Sequence, residues 1–265
     1  MKSRSPALGE VVAAFEAVDG GLALDAPPSW SQGRTLYGGM TAALCLAAVG
    51  RSVPGLPPVR SAQFTFVGPA SGRLIFKAEL LRQGRSAAVV AVEVVGQAGI
   101  AARALFTCGA ARESLVEHRH EAMPAVAAPE DCEAFIPGGG FGPDFAENFD
   151  LRLAGGSRPY CGAPPEMTVW TRLNRADEVD PLVGLLALAD ALPPAAMALF
   201  PAPGVISTMS WSVDIETQPE GAQGWFLQRS VAEHSSEGYS SQAMELWDTG
   251  GRRIIAARQT VAIFV

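Results

Sequence analysis

Apolar residues in this chain follow two patterns, unbroken small-residue runs and strict alternation, and the two appear in the same order twice. The run LYGGMTAALCLAAVG (36–50) is small and apolar on every side, as a helix buried all round would be. Alternating stretches follow: SAQFTFV (61–67), RLIFKAELLRQ (73–83), SAAVVAVEVVG (86–96) and IAARALFTCG (100–109). Between them GPASG, GR and QAG are turn signals of hairpin length. The second run, DPLVGLLALADALPPAAMALF (180–200), predicts another helix, with Asp180 as N-cap and Pro181 at the first helical position. Four strand-like stretches follow again: VISTMSWSV (205–213), GWFLQRSVAEH (224–234), YSSQAMELWD (239–248) and RIIAARQTVAIF (253–264). One more strand is predicted ahead of each helix, GGLALDAPP (20–28) and PPEMTVWTRLN (164–174).

The repetition extends to letters. GIAARALF near residue 100 echoes IIAARQTV near residue 255, and AVEVVGQAG echoes AMELWDTGG, which sets Ser61 against Thr208 and Ala104 against Gln259. A single long helix followed by a curling antiparallel sheet is the hot-dog arrangement, so the expected fold is α+β: a double hot-dog of two tandem repeats. Residues 1–112 and 141–265 form the repeats, and 113–140, mixed in charge and rich in Pro, Ala and Gly, form a surface linker. Two separate α+β domains would produce the same periodicities.

Composition narrows the partners. Twenty Lys and Arg against 27 Asp and Glu give a net charge of −7 over 265 residues, without a basic cluster, which argues against nucleic acid. The apolar windows 40–49 and 182–200 are too short or too interrupted by proline to span a bilayer, and the N-terminal segment reads as that of an ordinary cytoplasmic protein. Cys45, Cys108, Cys132 and Cys161 are scattered in the manner of reduced thiols. They make no zinc-site spacing with His118, His120 or His234.

Against this background three polar residues stand out. Asp190 is the one ionisable side chain between Pro181 and Phe200. An unpaired charge in apolar surroundings costs several kcal/mol or shifts its pKa. Gln259 lies in the most apolar phase of its strand, with Ile255, Ala257, Val261 and Ile263, where the first copy has Ala104. Thr208 lies early in the strand after the second helix. Each has a structural alternative: Asp190 as a cap for a kinked helix end, Thr208 as an ordinary strand residue. Alternation groups Thr208 with Ser210 and Ser212, away from Trp211 and Val213, so it points away from Asp190 unless the strand twists or lies at the seam between copies.

The order and spacing of LYGGMTAAL, LLALADALPP, ISTMSWSV and ARQTVAIF resemble the bacterial acyl-CoA thioesterase II family of double hot-dog proteins, over about residues 10–265. The resemblance implies a catalytic trio of Asp190, Thr208 and Gln259, an acyl-CoA substrate, no cofactor or metal, and assembly into a homo-oligomer. The strand TMSWSVDIE departs from the family in having no histidine after the threonine.

The chemistry suits such a trio. A thioester carbonyl is already reactive and needs an oriented water, a base and stabilisation of the oxyanion. Asp190 would take the proton, and an apolar setting makes a carboxylate a better base. Thr208 and Gln259 would aim the water. The glycine pair Gly38 and Gly39 lets a partner come close to the backbone at a helix N-terminus, where N–H groups can meet an oxyanion, although it also suits tight packing. Asp190 and Gln259 are expected within roughly 3–6 Å, by direct or water-bridged hydrogen bonding. No GxSxG elbow, P-loop or dinucleotide fingerprint is present. The rival reading is a non-catalytic acyl-CoA or fatty-acyl binding protein on the same scaffold.

Overall fold

The computed structural model describes residues 5–118, 122–137, 142–175 and 178–265; His120 and the triple glycine 138–140 of the expected linker lie outside them. The chain opens with α1 (Leu8–Ala13), β1 (Glu16–Val18) and β2 (Gly21–Asp25). A small hairpin, β3 (Ser31–Gln32) and β4 (Thr35–Leu36), leads into α2 (Gly38–Ser52). Then come β5 (Val59–Phe66), β6 (Arg73–Gln83), β7 (Ala87–Gly96) and β8 (Gly99–Gly109). β9 (Glu133–Ala134), β10 (Phe149–Gly156) and β11 (Glu166–Leu173) precede α3 (Pro181–Ala189). The chain closes with β12 (Val205–Ile215), β13 (Phe226–Ser236), β14 (Tyr239–Asp248) and β15 (Arg253–Phe264).

Apart from β3 and β4, these strands form one sheet of 13, ordered β1-β2-β6-β7-β8-β5-β12-β15-β14-β13-β11-β10-β9. Each pairing in it is antiparallel. β5 and β12 meet at a seam. Counted outward from it, β5, β8, β7, β6, β2 on one side match β12, β15, β14, β13, β11 on the other. Across the seam Phe64 pairs with Trp211, and their rings stack with centroids 5.5 Å apart.

Both central helices are swallowed by the sheet and by each other. Gly39 to Val49 of α2 and Leu182 to Ala189 of α3 are all buried, which is why neither helix carries a polar face. Asp180 caps α3, accepting hydrogen bonds from the Leu182 and Val183 amides. The helix expected to run to residue 200 ends at Ala189, and Ala195–Leu199 form a separate 3-10 turn. Pro193 and Pro194 explain this, since each ring would clash with the carbonyl four residues back and neither nitrogen can donate. Asp190 therefore sits at the helix end.

The outer face of the second half is also covered. Trp170, Leu227 and Trp247 pack there with Cys132, and the Trp170 indole N–H donates to the Ala127 carbonyl at 2.8 Å. Part of the segment read as a linker is thus seated on the sheet. No helix among the described residues is long and apolar enough to cross a membrane.

Candidate active site

The break after α3 exposes Asp190 to two donors from distant parts of the chain. Gln259 on β15, 69 residues away, donates from Nε2 to Asp190 Oδ1 at 2.5 Å, closer than the expected range. From the first half, the Gly39 N–H at the start of α2 faces the same carboxylate. Tyr37, the N-cap residue of α2, makes no side-chain cap, so the first amides of that helix are left to Asp190. An acid from one half thereby caps a helix of the other, at the positive end of its dipole.

The electrostatics are a contest. Burial disfavours the charged form, while the bonds from Gln259 and Gly39 favour it; burial wins, and the Asp190 carboxyl is pushed up to about 7. Asp190 is only partly buried, so this acid remains reachable. A base with a pKa near the working pH combines a usable ionised fraction with real proton affinity.

The glycine pair has a steric reason. A Cβ on Gly38 would lie 2.7 Å from Asp190 Oδ2, and one on Gly39 would lie 2.8 Å from the Ala187 carbonyl oxygen and 2.9 Å from Asp190 Cβ. The close approach that Gly38 and Gly39 allow is that of Asp190 and the last turn of α3.

Thr208 reaches the inner face through a β-bulge. Against β15, Thr208 pairs with Val261 but Ser210 with Thr260, so Met209 is an extra residue that reverses the alternation. Val205, Ser207 and Met209 are exposed, and so are Ser212 and Asp214; Trp211, Val213 and Ile215 are buried. Thr208 thus shares the inward phase with Trp211, contrary to simple alternation. In β5 the irregularity lies before Ser61 instead, and Ser61 stays out of phase with buried Ala62 and Phe64. Gln259, directly opposite Trp211, is 5% exposed.

Three buried polar neighbours of the site escape the sequence reading. The Tyr37 hydroxyl donates to the Ala187 carbonyl at 2.7 Å, tying the start of α2 to the end of α3. Burial and the nearby Asp190 charge raise the Tyr37 pKa, so it stays neutral. Gln228 donates from Nε2 to the Ala189 carbonyl, and Gln242 accepts from the Ala195 amide, each at 2.5 Å. Both are 1% exposed. The signal that marks Gln259 was available for Gln242, which shares its phase with Met244 and Leu246 on β14. His118 and His234 are exposed.

Similarity to known proteins gives the family and the fold. Residues 26–109 match the family model for the acyl-CoA thioesterase N-terminal domain, and residues 129–263 that for the C-terminal domain. A hot-dog protein of unknown function from Alicyclobacillus acidocaldarius superposes with a TM-score of 0.87 at 21% identity, covering 97% of this chain and 98% of its own. The tesB protein of Mycobacterium avium subspecies paratuberculosis is similar at 0.79 and 17% identity, over 97% of this chain and 99% of that one. An acyl-CoA thioesterase II from Mycobacterium marinum follows at 0.76 and 17%, over 97% and 98%. No curated protein matches in sequence. Fold and domain matches define a thioester hydrolase of hot-dog type. The chain belongs to the acyl-CoA thioesterase family.

Proposed function

We propose that this protein hydrolyses an acyl-CoA to the free acid and coenzyme A by means of a water held by Asp190, Thr208 and Gln259. The observation that carries the reading is the Gln259–Asp190 bond on a carboxyl raised to about 7. Water attacks the thioester carbonyl carbon as Asp190 takes its proton. The tetrahedral oxyanion then collapses, the carbon–sulfur bond breaks, and the thiolate leaves with the proton that Asp190 returns. Thr208 and Gln259 fix the direction of attack, and the first-turn amides of α2 that Asp190 does not take supply positive potential for the oxyanion. The matched strand orders on either side of the seam support two tandem hot-dog repeats, with the centre in the second and its helix-end partner in the first.

Free-thiol release measured over acyl-CoAs from acetyl to palmitoyl tests this reading, and no release at any length refutes it. The pH dependence is a second check. Asp190 must be ionised to act as base, so kcat/KM should rise with pH through a midpoint near the raised carboxyl value of about 7. A midpoint near 4 would mean that the base is a carboxylate without the raised value. Gln259→Ala is expected to lower kcat by about tenfold, less than loss of the base, because Thr208 and solvent can still orient the water. Steady-state kinetics of Gln259→Ala beside Asp190→Asn will rank them.

A further inference from the structure

We infer that Gln242 is a positioning residue of this site, holding the Gln259 carboxamide so that its Nε2 faces Asp190. The inference rests on the hydrolytic reading and deepens it. Gln242 stands directly opposite Gln259 in the β14–β15 register, and both face the buried layer. Such partners have Cβ atoms about 4.5–5.5 Å apart, within reach of each other's amides. The Ala195 N–H donates to Gln242 Oε1, which fixes which end of this amide is which. A flip would set the NH2 group against another donor. Gln242 Nε2 therefore points elsewhere, and among the described residues it has no partner although fully buried. A buried donor left so is costly. Gln259 uses its Nε2 on Asp190, so the group it can offer its neighbour is Oε1. Gln242 Nε2 makes no direct bond in this structure, so the donor and the acceptor on these adjacent side chains are joined through one water or by a small turn of the amide.

The other half of the sheet shows the same row without this task. Successive cross-strand pairs run Ala78, Val92, Ala104, Phe64, Trp211, Gln259, Gln242, Ala232. Val92 fills the place of Gln242, and Ala104 that of Gln259. The sheet closes there with no amide at all.

The consequence for Asp190 follows from the two flips open to a glutamine. With Nε2 toward the carboxylate, Gln259 favours the charged form; with Oε1 toward it, Gln259 repels that form. A donor on Oε1 excludes the second flip. Facing Asp190 are Gln259 from β15, the Gly39 N–H from α2, and Tyr37, the titratable neighbour.

The test is a carbon-13 titration of the Asp190 carboxyl, with the pH profile of thiol release, in wild type and Gln242→Met. Loss of the orienting donor weakens the bond that lowers the Asp190 pKa, so the midpoint should rise by about half a unit to one unit. At pH 7 kcat should fall severalfold with KM nearly unchanged. Thr171→Val removes a buried hydroxyl that donates to the Phe226 carbonyl on another pair of strands, and it should cost thermal stability with the midpoint unmoved. If Gln242→Met does not fold, Gln242→Val supplies the residue found in the first half. An unmoved carboxyl midpoint in the folded variant overturns the inference, and does so whether or not the wild type is active. Loss of hydrolysis in Asp190→Asn with that midpoint unmoved would leave the hydrolytic reading standing alone.

Discussion

Asp190→Asn is expected to lower kcat for acyl-CoA hydrolysis by at least about 10²-fold, with acyl-CoA binding held within about tenfold. The substitution is nearly isosteric and leaves an oxygen that can accept from Gln259, but it removes the proton acceptor. General-base catalysis is typically worth ~10²–10⁴-fold. The same variant should be the more stable protein in alkaline buffer. Burial pushes the folded carboxyl up to about 7 from its ordinary 3.8, so between those values the folded state holds a proton that the unfolded chain releases. Stability from this group is therefore fully present below the unfolded pKa and is lost as pH rises through the folded one. Asparagine never incurs that loss. The ceiling is about 4 kcal/mol, with the hydrogen bonds that the carboxylate makes already counted in the raised value. Thermal melts of both proteins at pH 5 and 8.5 should diverge as pH rises. A variant less stable at both values would make Asp190 a structural acceptor, and the catalytic assignment would fail.

Gly39→Ala is the second large effect. Its methyl group would sit 2.7 Å from a Tyr37 ring carbon and 2.8 Å from the Ala187 carbonyl oxygen. The carbonyl belongs to a buried helix and cannot swing aside, so α2 and α3 must separate. Overpacking of this kind costs about 1–3 kcal/mol, and a displacement approaching 1 Å at a reacting group can cost about 10²-fold in rate. We expect kcat at least about tenfold lower and a melting point lower by several degrees. Gly50→Ala on the same helix is the contrast. Nothing lies within 4 Å of its added carbon, and removing a helical glycine should stabilise by up to about 1 kcal/mol. Equal effects of the two substitutions would show that the Gly39 contact does not matter.

Much of this was legible in the sequence because the relevant forces are local. β6, β14 and β15 begin and end where alternation meets turn residues, and their bounds match the expected stretches. β10 (Phe149–Gly156) escaped because FDLRLAGG has no β-branched residue and ends in glycine. Asp190 and Gln259 could be read because each places a polar group where apolar neighbours leave it without water. The orientation of Thr208 could not be, since the bulge at Met209 reverses the phase without any glycine to mark it. Nor could the approach of Gly39, which depends on how two helices about 150 residues apart cross.

The row that runs through the seam bears on ancestry and on stoichiometry. Like halves that meet edge to edge have the layout of a former homodimer joined into one polypeptide. A symmetric pair of identical subunits must carry its chemistry twice, because any side chain placed in one appears in the other. Fusion lifts that constraint. In this chain Ala104 and Val92 occupy the places of Gln259 and Gln242, so one half has become free to serve as scaffold. On the proposed assignment each polypeptide holds one centre, and neither half contains all of it.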